Sequence, residues 1–174
     1  LTRLREKGTD TLLMVANVAP SAQVVKSLER MGWDVPVVSH WGPAGGRFGE
    51  LAGPTADRVH FIQTFVFTDT TSGKGGEVFS ELQAKYPEIK STADVTPAVG
   101  IANAYDAMHL TALAIENAGS TKGKDIRNGY YAIESYTGLI KTFNKPFSHD
   151  QHDAIGPDDY VFTQFVNDQI VPVK

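Results

Sequence analysis

An α/β fold built on a parallel sheet is what the sequence predicts, on three observations. Residues 11–16 (TLLMVA) are a short apolar run with turn residues on both sides, which at this length reads as a buried strand. Residues 20–32 set Val24, Leu28 and Met31, with Val25 beside them, on one face at helical spacing. Pro20 suits the first helical turn and Gly32 supplies the stop. Residues 35–39 (VPVVS) are a second short buried strand. Strands joined by a helix lie parallel, so the loops at 17–19 and 39–46 leave the same edge of the sheet. In open α/β sheets that carboxyl edge is where ligands bind.

The remaining elements follow in order. Residues 1–8 read as the last turns of a helix with its Gly stop present and its start missing, so the sequence is expected to be a fragment. The 40–46 loop is too rich in Gly and Pro for regular structure. Residues 47–53 suit a short helix with Phe48 and Leu51 inward, and 59–67 a strand that continues into something else. A polar, Gly-rich loop at 68–76 precedes a helix at 77–86 with Val78, Phe79, Leu82 and Tyr86 on one stripe, ended by Pro87. Residues 88–97 have no period and read as loop. The clearest helix is 98–118, with Ile101, Tyr105, Met108, Ala112 and Ile115 as its buried face and Gly119 as its stop. A helix at 124–135 turns Ile126, Tyr130 and Ile133 inward. The tail is β: a strand at 138–143, then strands at 160–166 and 170–173 joined at Asn167 and Asp168 as a hairpin.

A chain of 174 residues is one ordinary domain by length, with enough apolar content to bury a core. A net charge of −4 without any cluster of Lys and Arg argues against a nucleic-acid or anionic membrane surface. Cysteine is absent, which fits an intracellular protein or an exported one that does without disulfides. No apolar run is long enough to span a bilayer, so no membrane insertion is expected of this stretch.

Four stretches carry a family resemblance: 10–32; the loop 39–46 with Glu50, Leu51, Ala52 and Gly53; Ala104-Tyr105-Asp106-Ala107 inside an Ala-rich helix; and the closing 165–171. Together they resemble the C-terminal half of type I periplasmic solute-binding proteins, the group that includes the leucine/isoleucine/valine-binding protein of branched-chain amino-acid ABC transporters. The resemblance implies two parallel-sheet lobes joined by three hinge crossings, with the solute enclosed between them and the N-terminal half missing from this chain. It assigns residues 1–64 to the second lobe, 65–69 to a hinge crossing, 70–158 to the first lobe and 159–174 to the crossing back. It implies an extracytoplasmic receptor, periplasmic or lipid-anchored outside the cell, that delivers a small solute to the permease subunits of an ABC importer. A ligand-sensing domain of the same fold within a regulator or receptor is the alternative, and a small α/β enzyme a third.

The resemblance also points to ligand contacts. Asn17 stands at a strand end where the leucine-binding group has one, and Trp41 stands where that group carries the acid that pairs with the ligand's α-ammonium. A buried ammonium without a partner costs several kcal/mol, so a simple α-amino acid is disfavoured. An indole offers a flat apolar face and one N–H donor, suited to a small carboxylate, aromatic acid or amide. Packing of Trp41 under its own loop is the other reading. His40 could donate to a carboxylate or bond to backbone, and Tyr105 and Asp106, in mid-helix, read as structural.

Other motifs carry no chemistry. Residues 148–153 hold a His-x-x-His pair with no further ligand, so no metal is expected. Ser, His and Asp as sequence neighbours do not make a triad. Gly73-Lys74-Gly75-Gly76 lacks the spacing of a phosphate loop, and the glycines after Trp41 lack the dinucleotide fingerprint. No nucleophile elbow is present, so neither catalysis nor a cofactor is expected.

Overall fold

The computed structural model describes residues 1–68, 71–167 and 169–173. Asp69, at the end of the expected crossing, and Asp168, half of the expected hairpin turn, lie outside the described residues. A short helix α1 (Thr2–Glu6) leads into strand β1 (Leu12–Met14), helix α2 (Val18–Arg30) and strand β2 (Val37–Ser39). Helix α3 (Phe48–Ala52) and strand β3 (Val59–Gln63) complete this portion. Helices α4 (Gly73–Lys85), α5 (Ala98–Ala118) and α6 (Gly123–Tyr131) follow, then a hairpin of β4 (Ser135–Thr137) and β5 (Thr142–Asn144). Strands β6 (Val161–Val166) and β7 (Gln169–Pro172) close the chain.

The main sheet has the order β1-β2-β3-β6-β7. The first three strands are parallel, as the βα pattern predicts, and β6 and β7 join antiparallel beside β3. One face of the sheet packs under α2 and α3, where Val25, Leu28, Phe48, Val37, Val59 and Phe61 are fully buried. Phe165 lies 5.1 Å from Phe48 and 5.0 Å from Phe61 between ring centres, so three aromatic rings tie the terminal hairpin to that core. The opposite face is open: Leu13 and Val15 are 77% and 75% exposed, and His60 stacks on an exposed Phe162.

Separate apolar clusters lie in the middle of the chain. Phe67, Val78, Phe79, Val95, Ala102 and Leu139 form one, and Leu110, Ala114 and Ile133 another.

Several local expectations are corrected. Helix α2 begins at Val18, ahead of Pro20, because Asn17 takes the extended N-cap position. The 40–46 loop contains a 3-10 turn, Gly42–Gly45, and the 88–97 loop another, Thr92–Asp94, closed by the Ser91 and Asp94 side chains. Leu51 is 42% exposed, because the five-residue α3 can bury only the side that carries Phe48. Helix α4 starts at Gly73 inside the expected loop, and Tyr86, past its end, is exposed. Helix α6 stops at Tyr131, so Ile133 is buried from a turn. The expected strand at 138–143 is instead the turn and second strand of the β4–β5 hairpin.

Helix α5 has the predicted ends and a different buried face. Val99, Ala102, Asp106, Leu110 and Ala114 point inward, whereas Met108 is 73% exposed and Ala112 is exposed. Close packing explains the choice. A Cβ on Gly129 of α6 would lie 1.9 Å from the Ala114 carbonyl oxygen, so the helices meet on their small residues rather than their large ones.

Asp106 is buried on that face for a structural reason. Its carboxylate accepts hydrogen bonds from the Leu139 N–H at 2.6 Å and the Ile140 N–H at 2.9 Å, with the Tyr136 hydroxyl at 3.4 Å. These are the peptide groups of the hairpin turn, which have no ladder partner there. Burial and then the Asp106 charge raise the Tyr136 hydroxyl above the ordinary tyrosine range. Asp106→Ala should therefore cost about 3 kcal/mol, since each buried donor left unpaired costs about 1–3 kcal/mol. Denaturant unfolding checks this, and a loss below about 1 kcal/mol would contradict the clamp.

Candidate functional site at the carboxyl edge of the sheet

The site is built by the parallel pairing of β1 with β2. Met14 lies opposite Ser39, and the Ser39 hydroxyl donates to the Met14 carbonyl at 2.7 Å, locking the two strands where both end. Beyond this lock the chains diverge into α2 and the Gly42–Gly45 turn. The Ser21 hydroxyl reaches back to the Ala16 carbonyl at 2.9 Å and fixes the first loop. Asn17 caps α2 through its backbone carbonyl, which accepts from the Ser21 N–H at 3.0 Å. Its side chain makes no capping hydrogen bond and is exposed.

The second loop is folded against the first. The Gly42 N–H donates to Nδ1 of His40 at 2.8 Å. An Nδ1 that accepts leaves Nε2–H as the ring's donor, free of that contact. Gly42 is the point of closest approach: a Cβ there would stand 2.2 Å from the Ala16 carbonyl oxygen and 2.4 Å from the His40 Cε1. The pairing thus brings the His40 loop and the residue preceding Asn17 together at one strand edge, the place where ligands enter such sheets.

Trp41 follows, 41% exposed, with its ring stacked on Tyr160 at 6.3 Å between centres and 18° between planes. Tyr160 immediately precedes β6 and reaches this edge because Val161 pairs with Gln63 at the end of β3. Nothing local in the sequence signals that contact; it needs strand pairing across about a hundred residues. Next to it, the Asn103 amide of α5 donates to the Thr64 hydroxyl at 2.8 Å, tying the long helix to the residue after β3. Lys141 and Asp159 form an ion pair between the β4–β5 turn and the segment entering β6. The Lys141 hydrogen bond, then the Gly156 N–H at 2.7 Å, holds the Asp159 carboxyl below the ordinary aspartate range.

Two cavities of about 560 and 570 Å³ lie away from Asn17, His40 and Trp41. The smaller runs along residues 65–68, which follow β3, and the larger is an apolar groove between α5 and α6. His149 and His152 are exposed beside Tyr131, with ring centres 4.5 and 6.3 Å away. Among the described residues no group of three or more His, Cys, Asp or Glu could hold a metal ion. No helix there is long and apolar enough to cross a membrane.

Gly42→Ala should force the two loops apart, at a cost of about 1–3 kcal/mol by overpacking, and displace His40 and Trp41. The Trp41 fluorescence should shift while far-ultraviolet dichroism holds. Unchanged emission and melting temperature would contradict the close approach.

No family model matches the sequence, and no curated protein matches it. Solved structures do match. A type 1 periplasmic binding protein from Bordetella pertussis aligns over 99% of this chain and 48% of its own, with a TM-score of 0.82 and 21% identity. The branched-chain amino-acid transporter substrate-binding protein LivJ of Streptococcus pneumoniae, in complex with isoleucine, aligns over 97% of this chain and 45% of its own, with a TM-score of 0.74 and 23% identity. A solute-binding protein of an ABC transporter from Rhodopseudomonas palustris, in complex with benzoate, aligns over 99% of this chain and 44% of its own, with a TM-score of 0.70 and 13% identity. These neighbours are solute-binding proteins rather than enzymes. This chain spans about half their length and has the fold of the C-terminal half of a type I periplasmic binding protein.

Proposed function

We propose that this chain belongs to an extracytoplasmic receptor that delivers a small organic solute to the permease subunits of an ABC importer. The observation that carries the reading is the half-exposed Trp41 at the carboxyl edge, beside His40 and the exposed Asn17, where the chain leaves one apolar cluster for the next. Residues 1–64 form part of one lobe, 65–69 cross to the other, 70–158 form part of that lobe, and 159–174 cross back. The separate clusters and the crossing aromatics Phe65 and Phe67, packed edge to face at 4.8 Å, support this division. The exposed sheet face around Leu13 and Val15 supports the idea that further strands or helices complete the lobe. Such a receptor works outside the cytoplasmic membrane, in the periplasm or lipid-anchored at the cell surface.

The solute follows from the side chains at the edge. Trp41 supplies an apolar face and no charge, so a zwitterionic amino acid would lose the partner of its ammonium. A small carboxylate, aromatic acid or amide fits: its body lies on Trp41, and its polar end takes Nε2–H from His40 or the Asn17 amide. The range of solutes named for the fold's neighbours, isoleucine in one and benzoate in another, supports a fold that accommodates both kinds.

Truncating a buried aromatic anchor costs about 2 kcal/mol or more, or roughly thirtyfold in affinity. In calorimetric titrations of the protein at its natural length, Trp41→Ala should therefore bind aromatic or aliphatic acids at least about thirtyfold more weakly while its melting temperature holds. Sub-micromolar binding of leucine or valine by the unmutated protein would overturn the reading.

A further inference from the structure

We propose that Tyr160 is a positioning residue for Trp41, and that the Lys141–Asp159 ion pair holds Tyr160 in place, so that the β4–β5 turn sets the angle of the indole at the carboxyl edge. The backbone of the His40 loop fixes where the Trp41 side chain begins, because the next residue, Gly42, is pressed against the Ala16 carbonyl and the His40 ring. Packing leaves the direction of that side chain under-determined: Trp41 is 41% exposed, so no surrounding core locks its rotamer. Among the described residues Tyr160 is the one aromatic ring stacked on it, at 6.3 Å between centres and 18° between planes. Tyr160 is itself 37% exposed, so the geometry of the stack depends on how the backbone holds Tyr160.

That backbone is held from both sides. After Tyr160, Val161 pairs with Gln63 and enters the main sheet. Before it, Asp159 ends the 3-10 turn Pro157–Asp159, and its carboxylate accepts the Gly156 N–H at 2.7 Å and pairs with the Lys141 ammonium. Lys141 stands on a fixed turn: the N–H of the preceding Ile140 is taken by Asp106, and the Lys141 carbonyl accepts from the Gly138 N–H at 2.8 Å. The two side chains of the pair are 29% and 20% exposed, so solvent and salt screen it less than a pair on the open surface. Contacts therefore run from Asp106 through Lys141, Asp159 and Tyr160 to Trp41, and the ion pair is the link that a displaced hairpin would break. An aromatic face that is preset binds a flat solute more tightly than one that must be ordered on binding. The part that Trp41 plays in binding rests on the receptor reading; the positioning of its ring does not.

The test is fluorine NMR of the protein at its natural length, labelled with 5-fluorotryptophan and free of ligand. The resonance lost in Trp41→Phe belongs to Trp41, and that of Trp33, in the core, reports that each variant is folded. Tyr160→Ala should move the Trp41 resonance and leave that of Trp33 in place, and Tyr160→Phe, which keeps the ring, should bring it back. Lys141→Met should move the Trp41 resonance in the same direction, and so should Asp159→Asn, which removes the charge and keeps an oxygen for the Gly156 N–H. The double variant should move it no further than either single change, because both break one link. In calorimetric titrations of benzoate, Tyr160→Ala should bind about three- to tenfold more weakly, and Tyr160→Phe within about twofold of the unmutated protein. A Trp41 resonance unmoved in Tyr160→Ala would overturn the proposal, as would one that moves there and stays put in either ion-pair variant. So would unchanged benzoate affinity in a Tyr160→Ala protein whose Trp41 resonance has moved. If the unmutated protein binds no benzoate, it is the ligand assignment that fails, and the fluorine shifts alone decide the proposal. Should Tyr160→Ala not fold, Tyr160→Leu takes its place.

Discussion

The antiparallel pairing of β3 with β6 is the constraint on which the rest of the structure depends. It joins residues 102 positions apart: Phe61 lies opposite Thr163, whose hydroxyl donates to the Phe61 carbonyl at 2.7 Å. Closing so long a loop costs entropy, and burial of Phe61 and Phe165 against Phe48 offsets it. The outgoing chain at Thr64 then lies beside the incoming chain at Val161, so the apolar clusters of the middle segment connect to the main sheet through two adjacent strands. The Trp41–Tyr160 stack follows from that geometry, because Tyr160 is carried to the sheet edge by the strand it immediately precedes.

Around this junction the polar groups divide into two kinds. Asp106 is buried and spends its carboxylate on the peptide groups of the β4–β5 turn, so it holds the scaffold. Ser39 and Ser21 do the same on a smaller scale at the loops of the carboxyl edge. Asn17 and Trp41 are different, because the scaffold leaves the polar end of one and much of the ring of the other facing outward. Groups held in loops just beyond rigid strand ends, yet not consumed by the scaffold, are what the proposed binding edge would require.

The parallel core was legible because its signals are local. The apolar run before Asn17, the helical spacing of Val25 and Leu28, and the second run ending at Ser39 each report their own element, and the crossover rule then fixes the sheet. Helix α5 had legible ends and an illegible face, since it is apolar nearly all round and the choice is made by Gly129 and by the turn that needs Asp106. Leu51 misled for the opposite reason: a five-residue helix has too little surface to bury two large side chains on different sides. Tyr160 could not be found from sequence, because strand pairing at long range places it.

Under the proposed function, two portions of the molecule, linked at residues 64–68 and 160–161, would close on a solute between them. Small-angle scattering measures this most directly, on the protein at its natural length, with and without a saturating small carboxylate or amide shown by calorimetry to bind. The bound state should have the smaller radius of gyration. Superimposable profiles at saturation would contradict it.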